Sequence, residues 1–166
     1  DASHPCFLGC GAIGRVFKVT TSSGTEAALK VAVGSRGCDA LVAEAKAYEC
    51  TDQTGETTTR LLQHYCDRGG TGFAGLLVTP VGQKLPRTRE AITSALQGLK
   101  RLSESGFKHG DARSDNVFWD AGRERAVWTD LRTLSLVEHV DRENAFQEDV
   151  VYFARSMDIE LPASGL

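Results

Sequence analysis

The chain of 166 residues predicts an α+β fold in two parts, about one domain's worth of sequence. Three observations carry that expectation. The first forty residues alternate and favour Val, Leu and Ala, as strands do. From Thr88 the apolar residues recur at three- and four-residue steps instead, as in helices. Between them lies a junction near residues 79–86, marked by Pro80-Val81-Gly82.

Taken in order, Arg15 to Thr20 alternates, Thr21-Ser22-Ser23-Gly24 is a turn cluster, and Glu26 to Val33 is apolar. Together they predict an antiparallel hairpin. Asp39 is placed as the N-cap of a helix to about Cys50, with Leu41, Val42, Ala45 and Tyr48 on one side. Residues 51–60 are polar and Thr-rich, the pattern of an exposed end or loop. Leu61 to Tyr65 and Phe73 to Val78 are the next apolar runs. The second, bounded by Asp67 to Gly72 and by Pro80-Val81-Gly82, predicts a strand. Ile92, Ala95, Leu96, Leu99 and Leu102 predict a helix from Thr88 to Gly106. Val117 to Trp119 and Ala126 to Trp128, split by Asp120-Ala121-Gly122, predict a second hairpin. A last helix is expected over about Asn144 to Met157.

With 41% hydrophobic and 25% charged residues, 17 Gly and 4 Pro, the composition excludes collagen-like and disordered chains. Uninterrupted apolar runs such as Leu76 to Val78 fall far short of the roughly 20 residues of a membrane helix. No basic-then-apolar leader opens the sequence, and a start at Asp1 is expected of a processed form or an excised fragment. A net charge of −3, with both signs interspersed, argues against nucleic acid or an anionic membrane as partner. Cys6, Cys10, Cys38, Cys50 and Cys66 form no CxxC pair and have no His-rich segment beside them. They read as reduced thiols in a reducing compartment.

Four motifs carry chemistry. Gly9-Cys10-Gly11-Ala12-Ile13-Gly14-Arg15-Val16 fits GxGxxGxV, in which bare backbone can approach a phosphate. The residues after it read as strand, so a dinucleotide-binding strand–loop–helix is excluded. Lys30 stands in the apolar run Ala27-Ala28-Leu29-Lys30-Val31, one hairpin beyond Gly14, a spacing that sets an ammonium beside nucleotide phosphates. His109 to Asn116 matches HxDxxxxN, and Asp130 follows it directly behind the second predicted hairpin. Asp111 as proton acceptor, with the Asn116 amide oxygen and the Asp130 carboxylate for hard Mg²⁺, is a coherent set.

These motifs resemble those of the eukaryotic-type protein kinases, over about residues 7–157. The compact form, with Gly110 after His109, looks most like the Crinkler-type effector kinases of oomycetes and fungi. The resemblance implies a bilobal protein-kinase-like domain over 1–166: a small β-rich N-lobe at about 1–79, a hinge at 80–86 and a shortened helical C-lobe at 87–166. It implies that Gly9, Gly11 and Gly14 cover the phosphates of ATP, and that Val16 and Ala28 roof the adenine. Lys30 would bind the α- and β-phosphates and pair with a helix glutamate, Glu44, which its neighbours favour over Glu49 despite the latter's place on the wheel. Asp111 would take the hydroxyl proton, Asn116 and Asp130 would hold Mg²⁺, and Arg113 would face the γ-phosphate where a lysine is usual. Asp149 would anchor the backbone of the loop. The substrate implied is a protein bearing Ser or Thr hydroxyls, including the chain itself. The site of action implied is the cytoplasm or nucleus, in a host cell for an effector.

The sequence also departs from that family. Asp130-Leu131-Arg132 replaces Asp-Phe-Gly, and the stretch from Asp130 to Asp149 is too short for a long activation loop. The shortened lobe would leave apolar surface for a second copy or another chain to cover. Two other functions stay open at this point: a small-molecule kinase of the aminoglycoside or choline type, whose His-Gly-Asp is similar, and a catalytically silent pseudokinase serving as a binding module. Arg68, Arg87, Arg89 and Lys100 are scattered and read as a solvated exterior.

Overall fold

The computed structural model describes residues 5–11, 13–51, 55–67, 69–70 and 72–160. Ala12 of the glycine segment, residues 52–54 of the Thr-rich stretch and Arg68 lie outside them. The chain divides into two compact units, residues 1–81 and 82–166, a division that falls inside the 80–86 stretch. The fold is mixed α+β with antiparallel sheets.

In the first unit, β1 (Cys6–Cys10), β2 (Arg15–Thr20) and β3 (Glu26–Val33) form an antiparallel meander. The turn between β2 and β3 is the expected Thr21 to Gly24 cluster. Gly24 takes φ 82° and donates its N–H to the Thr21 carbonyl. After α1 (Ser35–Cys50) come β4 (Arg60–Asp67) and β5 (Phe73–Thr79). The five strands lie in the order β1-β2-β3-β5-β4, every neighbouring pair antiparallel. Val16 sits directly opposite Lys30, and Lys18 opposite Ala28. Paired residues and alternate residues share a face, so Val16, Ala28 and Lys30 project from one side of the sheet.

Helix α1 begins earlier than the Asp39 cap predicts. Gly34, at φ 82°, turns the chain straight out of β3, and its carbonyl already accepts the N–H of Cys38. A Cβ on Gly37 would lie 2.9 Å from that of Ala32, so the first turn packs tightly on the strand it has just left. Glycine geometry, not a side-chain cap, starts the helix. Its buried side carries Cys38, Leu41, Glu44, Ala45 and Tyr48. Among the Thr-rich residues, Thr51, Thr57, Thr58 and Thr59 are buried, not exposed as their polarity predicts. Thr51 donates its hydroxyl to the Tyr48 carbonyl, and Thr58 donates to the Thr51 hydroxyl. With the hydroxyls satisfied locally, the methyl groups pack as valine would.

The second unit opens with β6 (Gln83–Lys84) and α2 (Arg89–Glu104). Thr88 caps α2 by accepting the Ala91 N–H, and Gly106 at φ 87° lies just beyond its end. β7 (Phe107–Lys108) leads to a loop and a 3-10 turn at Ser114–Asn116, then to the hairpin of β8 (Val117–Asp120) and β9 (Arg125–Trp128). A 3-10 turn at Leu131–Thr133, β10 (Ser135–Leu136), another 3-10 turn at His139–Asp141 and α3 (Arg142–Met157) complete it. β6-β8-β9 form one sheet and β10-β7 another, so this unit holds more strand than the mostly helical part the sequence predicts. Strands as short as β6, β7 and β10 carry too little periodicity to stand out in a sequence. Leu99 and Leu102 of α2, Trp128 of β9, and Val150 and Phe153 of α3 centre its core. Among the described residues, no helix is long and apolar enough to cross a membrane.

Candidate functional site

In the first unit the sheet and α1 bring two of the predicted site residues together. Lys30 Nζ donates to Glu44 Oε2 at 2.7 Å, with side chains 14% and 2% exposed. Lys30 projects toward α1 because it shares a face with Ala32, on which Gly37 packs. Glu44 meets it from the middle of the helix's buried side, whereas Glu49 is exposed. A buried carboxylate and ammonium in contact fix the direction of a long, otherwise mobile lysine.

The glycine segment connects β1 to β2. The Gly11 N–H donates to the Gly14 carbonyl at 2.9 Å. A Cβ on Gly14 would lie 2.0 Å from the Val31 carbonyl oxygen, so glycine is obligatory there. At Gly9 and Gly11 a Cβ would meet nothing within 4 Å. Neither takes a positive φ. The fold itself therefore does not demand glycine at those two positions; they expose bare backbone.

In the second unit, residues 109–116 form a loop held at several points. Asp149, on α3, accepts the His109 N–H at 2.7 Å on Oδ2 and the Gly110 N–H at 3.0 Å on Oδ1. Burial pushes this carboxyl up, opposed by the two backbone donors and by His109 and Lys108. Lys108 pairs with Glu148 alongside. Gly110 sits at φ 77°, and a Cβ there would lie 2.7 Å from the Thr133 carbonyl oxygen. Farther along, the Ser114 N–H donates to Ser156 Oγ at 2.8 Å.

Asp111 lies between these anchors. Its Oδ2 accepts Asn116 Nδ2 at 2.9 Å, and its carbonyl accepts the same nitrogen at 2.9 Å. Arg113 forks onto the carboxylate, Nε to Oδ1 at 3.0 Å and Nη2 to Oδ2 at 3.1 Å. Asp130 is joined to the loop through its neighbour, since the Thr129 N–H donates to the Asn116 carbonyl at 2.9 Å. It adopts φ 58°, ψ 59°, a left-handed geometry that aspartate tolerates better than most residues. Arg132, the departure from glycine, lies in a 3-10 turn at ordinary φ and so introduces no strain.

The sequence marks His109 only as a motif letter; the structure assigns it a part. It is fully buried, edge-on to Trp128 at 5.1 Å. Nδ1 accepts the Asp111 N–H at 3.3 Å, so Nε2 carries the proton that it donates to the Thr129 carbonyl at 3.1 Å. The ring thus ties the backbone of Asp111 to the segment leading into Asp130. Burial lowers its pKa, outweighing Asp149, the Thr129 carbonyl, Asp111 and Asp130, which raise it. No sequence signal points to this link between His109 and Thr129, which only the packing of the loop against β9 creates.

For a metal, the donor set is limited. Among the described residues no group of three His, Cys, Asp or Glu side chains could hold one. The Asn116 amide donates twice through Nδ2, which leaves Oδ1 as its atom for a hard cation. One amide oxygen and one carboxylate suit Mg²⁺, which keeps waters and takes further oxygens from phosphates. Cys6, Cys10, Cys38, Cys50 and Cys66 form no disulfide. Arg87, Arg89 and Lys100 are exposed. No protein-family model matches the chain, and no curated protein matches it.

Proposed function

We propose that the chain is an ATP- and Mg²⁺-dependent phosphotransferase with a bilobal, protein-kinase-like fold, acting on Ser or Thr hydroxyls of proteins. The observation that carries this is the loop of residues 109–116. There a carboxylate suited to accept a hydroxyl proton, Asp111, is positioned by Asn116, Arg113 and His109 over backbone anchored on Asp149. The Lys30–Glu44 pair and the insertion of α1 between β3 and β4 of a five-stranded antiparallel sheet support the same reading.

In this mechanism the chain supplies position and charge. Asp111 orients the attacking hydroxyl and accepts its proton. Lys30, aimed by Glu44, binds non-transferred phosphates, while the bare backbone at Gly9 and Gly11 lets phosphate oxygens approach N–H groups. Asn116 Oδ1 and the Asp130 carboxylate would hold Mg²⁺, whose chemistry there is to neutralise charge on the triphosphate.

Transfer of labelled γ-phosphate to the chain's own Ser and Thr residues, measured beside Mg-ATP thermal shifts, tests the proposal. Asp111→Ala is expected to lower turnover by about 10²- to 10⁴-fold while the thermal shift persists. Equal transfer by wild type and variant would overturn it. Label on a small alcohol but not on protein would move the substrate class to small molecules, and a thermal shift without transfer would mark a silent binding module.

A further inference from the structure

Helix α1 packs on the face of the five-stranded sheet that carries Lys30. The opposite face is apolar. Strand register sets Arg15, Val31, Gly75 and Tyr65 in one row across it. Leu29 and Leu77 flank this row on one side, and Val33, Phe73 and Asp67 on the other. Tyr65, Phe73 and Val33 are 56%, 36% and 74% exposed, and large apolar side chains gathered so on one face mark an interaction surface. Gly75 lies at its centre. A glycine inside a strand weakens it, and the fold does not ask for one here: its φ is ordinary, and a Cβ would rest 3.7 Å from Leu29 Cδ1 and 3.8 Å from Phe73 Cε1. Glycine in such a place marks the close approach of another backbone. Above it opens a hollow of about 550 Å³, bounded by Leu29 and Leu77 and by Tyr65 and Phe73, whose ring centroids lie 6.4 Å apart.

We infer that this face is a two-fold interface between copies of the chain, independently of the function proposed above. A two-fold axis lying between two such faces, close to Gly75 and roughly along the strands, sets backbone against backbone at the two glycines. It lays Tyr65 of each copy over Leu29 and Val31 of the other, and Phe73 over Val31 and Val33. The projecting rings of β4 and β5 thus meet the lower aliphatic half on β3. The same rotation brings Arg15, on β2, toward the second copy's Asp67, on β4, because these opposite charges lie on opposite sides of Gly75. A face that holds both rings and hollow, and both signs of charge, complements itself. Its size is sufficient. Five strands about 4.8 Å apart and the eight residues of β3 make a face of about 24 by 26 Å. Two copies together would cover about 1,200 Å², where specific stable interfaces begin.

Sedimentation velocity of the full chain over about 1–200 µM tests the interface, with a monomer–dimer equilibrium expected at a Kd of about 1–100 µM for an area at the small end. Tyr65→Glu sets a charge on the apolar face, and Gly75→Val adds a side chain that the single copy has room for. Each should raise Kd about tenfold or more, while the circular dichroism spectrum and melting temperature stay those of a folded chain. Arg15→Glu and Asp67→Arg should each weaken the dimer alone and restore it when mixed, because the mixed pair regains both opposite-charge contacts. Should Asp67→Arg disturb the turn in which Asp67 accepts the Gly69 and Gly70 N–H groups, the Tyr65 and Gly75 variants decide the matter. A wild type still monomeric at about 200 µM would overturn the interface and leave the face to a different protein. A dimer unmoved by Tyr65→Glu and Gly75→Val would place the contact elsewhere and overturn it equally.

Discussion

Replacing Glu44 by Gln removes the charge that faces Lys30 and keeps the shape. At 2.7 Å and an effective dielectric of about 20, the attraction between the two groups is about 6 kcal/mol. Desolvating the two ions costs several kcal/mol each, so the pair is close to break-even against an apolar pair of similar volume. Breaking it is a different matter, because the buried ammonium loses the carboxylate it touches. Glu44→Gln should therefore cost about 3–5 kcal/mol. The double variant Lys30→Met with Glu44→Leu should recover to within about 1 kcal/mol of wild type, since Leu41, Ala45 and Tyr48 already make that side of α1 apolar. Urea denaturation followed by circular dichroism on wild type, Lys30→Met, Glu44→Leu and their combination measures the cycle, with Glu44→Gln measured alongside. Under the proposed function phosphotransfer should be lost in all four variants, including the stable double one, which separates folding from chemistry. A Glu44→Gln loss under about 1 kcal/mol, or a double variant as unstable as the sum of its parts, would refute the account of this pair.

Two further perturbations probe the second unit. Burial keeps His109 neutral in the folded chain, while in the unfolded chain it takes up a proton near pH 6.5. At this site the unfolded state then binds more protons below that pH, so the contribution of His109 to stability is full above about 6.5 and is lost on acidification by up to about 1.4 kcal/mol per pH unit. His109→Gln should flatten that slope below pH 6.5, and identical slopes would contradict the assignment. On Gly98→Ala, the new Cβ would lie 2.9 Å from Trp128 Cδ1, in a ring held by its Nε1–H donation to the Ala95 carbonyl at 3.0 Å. Overpacking there should cost about 1–3 kcal/mol and shift the Trp128 fluorescence, although alanine is the better helix former. An unchanged melting temperature would show that α2 yields at this contact.

Much of the molecule is legible in residue order. The hairpin of β2 and β3 follows from alternation around a Thr/Ser/Gly turn, and α2 from its apolar spacing, its Thr88 cap and Gly106. These signals are local, so a single stretch of sequence carries them. The start of α1 is not, because Asp39 has the chemistry of a cap, whereas Gly34 and the close fit of Gly37 on Ala32 begin the helix earlier. The burial of the threonines at 51 and 57–59 is hidden too, because polarity does not reveal that a neighbour satisfies the hydroxyl. The β7–β10 ladder pairs Phe107 with Leu136 and Lys108 with Ser135, a long-range match too short to leave any pattern in a sequence.

The candidate site divides in the same way. Motif spacing singles out Lys30, Asp111, Asn116 and Asp130, and the resemblance to the kinases adds Arg113. Which glutamate faces Lys30 is decided by how α1 lies on the sheet, since a helical wheel ranks faces but does not say what covers them. Folding likewise sets the proton on Nε2 of His109, the two backbone donors on Asp149 and the grip of Arg113 on Asp111. Side-chain chemistry is written residue by residue, but which donor reaches which acceptor depends on segments as distant as His109 and Asp149 being packed against one another.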